Sequence, residues 1–191
     1  NATMVIAGDI NKKEVKKLVE KYFSEIKPGP DHGNPEPQPV KLSEKKKVFH
    51  EDNFARSPRL TMAFPTVDLL HFDAAALELL GQLLGDKKYS PLYNVIVEEK
   101  KLAPSLFSYS STQEIAGTFN VVVTGFPTTN LTDVENAIHE SFQKFESNGF
   151  SAEDLNRLKA KYETGFYQSI SSVLGKGFQL ARYNEYYGSP D

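Results

Sequence analysis

Two runs rich in β-branched and aromatic residues, 105–113 and 118–126, are separated only by Glu114-Ile115-Ala116-Gly117. A connection this short reads as a hairpin, so the pair predicts an antiparallel sheet. The two-residue period of a strand puts Phe107 and Tyr109 on one face and Leu106 on the other. Further strands are expected at 3–7, which ends in Gly8-Asp9, at 46–51 and at 59–64. Pro65 follows the last of these and has no N–H to give a ladder, which suits a strand end.

Between the strands the apolar period changes to that of helices. Asn11 with Glu14 is a capping box for a helix whose buried face is Val15, Leu18, Val19, Tyr22 and Phe23. Residues 27–39 hold five prolines and two glycines and read as an extended surface loop. Residues 74–84 are apolar on nearly all sides, which predicts a helix buried among other helices, with Gly85 as its C-cap. Ser90-Pro91 opens a shorter helix through Glu99. Thr132 with Glu135, and Ser151 with Asp154, open two long helices with apolar positions Val134, Ile138, Phe142 and Phe145, then Leu155, Leu158, Tyr162 and Phe166; Asn148-Gly149 separates them. Residues 180–187 are also helical in pattern, with small residues at Gly175-Lys176-Gly177 marking a bend. Strands and helices that come in pairs, without regular alternation, specify an α+β fold.

With 39% apolar and 12% aromatic residues the chain of 191 can fill a core. The formal charge of −3 comes from 22 basic and 25 acidic residues, and its longest basic run, Lys45-Lys46-Lys47, reads as a solvated strand start. No nucleic-acid-binding face follows. There is no cysteine, hence no disulfide, Cys-based metal site or thiol nucleophile, and no apolar stretch of membrane-spanning length. A strand at the start without lead-in and a helix near the end are the marks expected of a single domain, 1–191, excised from a longer chain.

Paired zinc ligands on a helix require two histidines about one turn apart, and none of His32, His50, His71 and His139 has another within five residues. Glu135 with His139 is an i, i+4 pair that lacks a third ligand and reads as a solvated helix face. His71 and Asp73 sit at a helix start, where the dipole alone favours the acid. Gly175-Lys176-Gly177 lacks the remainder of a phosphate loop. Ser105, Ser108, Ser110 and Ser111 alternate with aromatics along a strand, with no base nearby in sequence. No catalytic and no metal-binding residue is expected.

Three stretches, in this order along the chain, carry a resemblance: NATMVIAGDI at 1–10 with the helix end VEKYF at 19–23, SPLYNVIVEEKKLAPS at 90–105, and ARYNEYYG at 181–188. Together they resemble the M16 (pitrilysin/insulinase-like) zinc peptidases, specifically the non-catalytic domain that follows the zinc-binding domain in each half. The resemblance implies a mostly antiparallel sheet with helices packed on one side. It implies a domain that helps enclose a substrate chamber in a zinc-dependent endopeptidase. Zinc would belong to the preceding domain of the parent, on its His-x-x-Glu-His motif, and not to this fragment. The partners implied are that zinc-binding domain and a second M16 half, in cis or as a separate subunit, closing on a peptide substrate. Phe107 and Tyr109 are the candidates for chamber lining, against the simpler expectation that both face the helices. In many relatives a second half carries an Arg and, seven residues on, a Tyr; matching Leu102-Ala103 to the family places Val97 and Pro104 there, which implies a first, zinc-bearing half. Two other readings stand beside this one: a scaffold or partner domain of a catalytically inactive relative, and an unrelated α+β binding domain.

Overall fold

The structure, a computed structural model, describes residues 2–30, 33, 35–86 and 88–190. They form two compact units, Glu36–Leu158 and Asn1–Pro35 with Lys159–Asp191. His32 and the two terminal residues lie outside the described residues.

The larger unit is built on the hairpin. Strands β2 (Ser105–Thr112) and β3 (Gly117–Thr124) pair antiparallel, and β1 (Arg59–Thr66) pairs antiparallel with the other edge of β3. The order β1-β3-β2 makes β3 the central strand. The register aligns Leu60, Val123 and Leu106 across the sheet, and Met62, Val121 and Ser108 one pleat further on. These residues form the helix-covered face, and Leu106, Val121 and Val123 join Leu92, Val95, Ile96, Val134 and Ile138 in one buried cluster. Pro65 lies inside β1, where an edge strand tolerates its missing N–H.

Helix α2 (Ala74–Gly85) lies against β2. Gly85 is the last residue of this helix and not its cap, which is Asp86. Its function is steric: a Cβ at Gly81 would stand 3.0 Å from the Tyr109 Cα, and one at Gly85 2.7 Å from the Ser108 Cβ. The expected helix at 91–99 begins as α3 (Pro91–Tyr93) and widens into a π-helical turn, Asn94–Glu99, in which Lys100 N–H donates to Val95 O at 3.0 Å. Leu92, Val95 and Ile96 all point into the core. Lys101 then takes φ 53, and the chain enters β2 held by the Thr129 hydroxyl, which donates to Leu102 O at 2.7 Å.

Helix α4 (Leu131–Asn148) is capped by Asn130, whose side chain accepts from Thr132 N–H at 2.9 Å. This corrects the expectation of a Thr132–Glu135 box, since Glu135 is engaged by Lys45 and Lys47. The box expected at the start of α5 (Ala152–Ser169) is present in both directions: Asp154 N–H donates to Ser151 Oγ at 3.0 Å, and Ser151 N–H donates to the Asp154 carboxylate at 3.3 Å. Residues 46–51 form no ladder, contrary to the expected strand. Lys47 of this segment, with Lys45 just before it, reaches Glu135 of α4, and Val48 and Phe49 remain 83% and 84% exposed, so these apolar residues bury against nothing.

In the smaller unit, helix α1 (Lys12–Phe23) starts at Asn11, whose side chain accepts from Lys13 and Glu14 N–H. The buried face expected of it is only partly so, because Val15 and Val19 are half-buried while Leu18, Tyr22 and Phe23 are exposed. Residues 3–7 are also not a strand. They lie along α6 (Val173–Tyr187), where the Thr3 hydroxyl bonds Glu185 and Asn184 and Val5 meets the bare backbone of Gly177. A helix offers no ladder, so the β-branched run stays extended and unpaired. The bend expected at 175–177 falls earlier, between α5 and α6, where Ser172 caps Gly175 N–H at 3.0 Å.

Candidate functional site

The face of the sheet turned away from the helices is the surface on which the candidate residues lie. Phe107 and Tyr109 are 66% and 45% exposed there. The reason is visible in the alternation of β2: Leu106, Ser108 and Ser110 point to the helices, and the small serines let α2 approach to contact at Gly81 and Gly85. A ring at position 108 would have no room, so the aromatics take the opposite face. Cross-strand from Phe107 is Val122, which lies between it and Thr61 and is buried although it is on the open side. Cross-strand from Tyr109 is Asn120, whose amide donates to Thr118 Oγ1 at 3.0 Å and to Thr118 O at 3.3 Å, which fixes its orientation. Apart from Arg59 at one end, the strand residues of this face are uncharged. The arrangement offers apolar contact area and fixed amide and hydroxyl groups, but no nucleophile–base pair.

Val122, Asn120 and Thr61 were not anticipated from sequence. The hairpin register sets Val122 and Asn120 beside Phe107 and Tyr109, while Thr61 is added only by the β1–β3 pairing, which joins residues far apart in the chain.

On the helix side, a cavity of about 250 Å³ lies among the ends of α2, α3, α4 and α5, lined by Asp86, Tyr89, Lys144, Phe145, Phe150 and Arg157 among others. Its charges are engaged. Lys144 bonds Glu99 at 2.9 Å and Glu140 at 3.2 Å, which raises its pKa, the Glu99 hydrogen bond first. Asp154 is held below its ordinary range chiefly by the Ser151 hydroxyl, with Arg157 adding to the effect. The rings of Phe145 and Phe150 stack with centroids 6.2 Å apart.

Among the described residues no group of three or more His, Cys, Asp or Glu could hold a metal ion. The Glu135–His139 pair is no exception: the carboxylate is taken by two lysines, which lower its pKa to about 2, and the imidazole meets Phe142 edge-on at 6.5 Å. His71 Nδ1 accepts from Asp73 N–H at 3.1 Å. A resident zinc ion therefore does not fit the described residues of this chain. No helix among them is long and apolar enough to cross a membrane.

Comparison with known proteins places this architecture. Residues 1–162 match the family described as the peptidase M16 inactive domain. The chain is 25% identical over 175 residues to the zinc protease PqqE of Helicobacter pylori, covering 90% of this chain and 39% of that protein. It is 26% identical over 176 residues to the uncharacterized zinc protease YmxG of Bacillus subtilis, covering 90% and 40%. The crystal structure of a peptidase M16 inactive domain from Pseudomonas fluorescens superposes with a TM-score of 0.72 at 18% identity, over 96% of this chain and 42% of that one. The likeness in structure is one of fold, α+β with an antiparallel sheet. The chain spans about two fifths of the length of the curated relatives. With a match that covers most of its length, the chain belongs to the peptidase M16 inactive domain family.

Proposed function

We propose that this chain forms part of the wall of a peptide-holding chamber in a zinc-dependent endopeptidase and performs no hydrolysis itself. The observation that carries the reading is the open sheet face, on which Phe107 and Tyr109 stand exposed among small, uncharged side chains. Such a surface suits an extended peptide of varied sequence. Aromatic rings supply contact area at little conformational cost, and the near absence of fixed charge rejects neither sign of substrate.

In this reading residues 1–191 are one non-catalytic domain of a longer parent. Zinc belongs to a zinc-binding domain that precedes it, and a second M16 half, in cis or as a separate subunit, closes the chamber. The residues of this chain bind and orient the peptide and exclude water; none of them supplies a ligand or a base. Val97 and Pro104 support placement in the first half. The former offers no polar group and the latter no donor, so an Arg and Tyr contact to substrate would come from elsewhere.

The test is photo-crosslinking in the zinc-loaded parent. A benzophenone amino acid in place of Phe107 should capture a bound peptide, while the same group in place of Gln143, exposed on the helix side, should not. Equal capture at both positions, or none at 107 while peptide is being cleaved, contradicts the assignment.

A further inference from the structure

Asn148 closes α4 and is followed by Gly149, the sole Asn-Gly pair of the chain. Both residues are exposed, and Gly149 sits at φ +65 with no atom within 4 Å of the place a Cβ would occupy. We propose that Asn148 is a site of spontaneous covalent modification, its side-chain amide being lost through a cyclic imide and replaced by a carboxylate with water as co-reactant.

The step balances without any oxidant or reductant. The Gly149 backbone nitrogen gives its proton to hydroxide and attacks Asn148 Cγ. The Cγ–Nδ2 bond breaks, and the nitrogen leaves as ammonia with a proton from water. Water then opens the imide at one of its two carbonyls. Attack at Cγ gives aspartate; attack at the main-chain carbonyl gives isoaspartate, in which the backbone runs through Cβ and Cγ. The sum is asparagine plus water to an acid plus ammonia.

Two features select this position. Glycine presents no side chain to crowd the attacking nitrogen, whereas the exposed Asn53 and Asn136 precede Phe54 and Ala137. The nitrogen is nevertheless held, since Gly149 N–H donates to Phe145 O at 2.7 Å. Reaction therefore waits on opening of the last turn of α4. Terminal turns open at small free-energy cost, and glycine can leave its conformation without a steric barrier. The opening is confined on the far side by the Ser151–Asp154 box that starts α5.

The product changes the molecule locally. A carboxylate appears at the C-terminal end of a helix, where the dipole already disfavours negative charge, on the rim of the cavity that Asp86 and Asp154 line. In isoaspartate the added backbone methylene also spreads the turn across which Phe145 and Phe150 stack.

The test is peptide mapping by mass spectrometry, with isoaspartyl labelling, of the folded chain held in mildly alkaline buffer. The expected result is ammonia loss and isoaspartate at Asn148 severalfold ahead of Asn53 and Asn136, at a rate that rises with pH. Asn148→Gln should remove the isoaspartate signal at this peptide while leaving the circular dichroism unchanged. Another asparagine reacting first, or reaction at Asn148 only after denaturant is added, overturns the proposal.

Discussion

A methyl group at Gly85 would come within 2.7 Å of the Ser108 Cβ and 3.2 Å of Leu106 Cδ1, so the contact of α2 with β2 depends on its absence. Gly165 lies in α5 with nothing within 4 Å of its Cβ position. The same substitution should therefore have opposite signs at the two sites. Gly85→Ala should destabilise by about 1–3 kcal/mol through overpacking, and Gly165→Ala should stabilise by up to about 1 kcal/mol through helix propensity; urea denaturation of each variant measures both. Lys101 presents a separate case, at φ 53 without the freedom of glycine. Lys101→Gly should raise stability by about 0.5–1 kcal/mol by the relief of left-handed strain, and a loss would mean that its side chain makes a contact worth more than the strain.

Between elements, the Glu135 clamp joins an irregular segment to α4, and its pH dependence follows from the depressed pKa. The carboxylate falls from its usual 4.5 to about 2, first through hydrogen bonds from Lys45 and Lys47. A folded-state pKa below the unfolded one means stability that is present above pH 4.5 and lost as pH falls toward 2. Glu135→Gln should have a lower melting temperature than wild type near neutral pH, and the gap should close across that window; a gap independent of pH would show that the clamp contributes nothing through charge. Ser151→Ala should cost about 1 kcal/mol by breaking the reciprocal cap of α5, again read by urea denaturation.

These elements also show what local patterning can reveal. The hairpin, β1, α2, α4 and the α5 cap are legible because their signals lie within a few residues of one another. Residues 3–7 and 46–51 carry the same β-rich composition yet pair with no strand: propensity records side chains, while a ladder needs a partner that α6 and the Glu135 clamp replace. The face taken by Phe107 and Tyr109 was likewise open in the sequence. It depends on Gly81 and Gly85, more than twenty residues away, drawing α2 onto the serines of β2.

For the whole molecule, a chain of the peptidase M16 inactive domain family presents an open, nearly uncharged sheet face, and it is to this face that we assign the proposed peptide-holding role. The proposed non-catalytic role predicts that the isolated chain takes up no stoichiometric zinc by calorimetry and cleaves no peptide; among the described residues there is no group of three or more metal-ligating side chains. Tight binding of one ion would require a ligand set beyond those described. If the aromatic face holds substrate, steady-state peptide cleavage by the zinc-loaded parent will depend on it. Replacing both rings, Phe107→Ser with Tyr109→Ser, should raise KM severalfold while kcat, zinc content and melting temperature stay near wild type. Unchanged KM and kcat in the double variant would mean that the aromatic face does not hold the peptide.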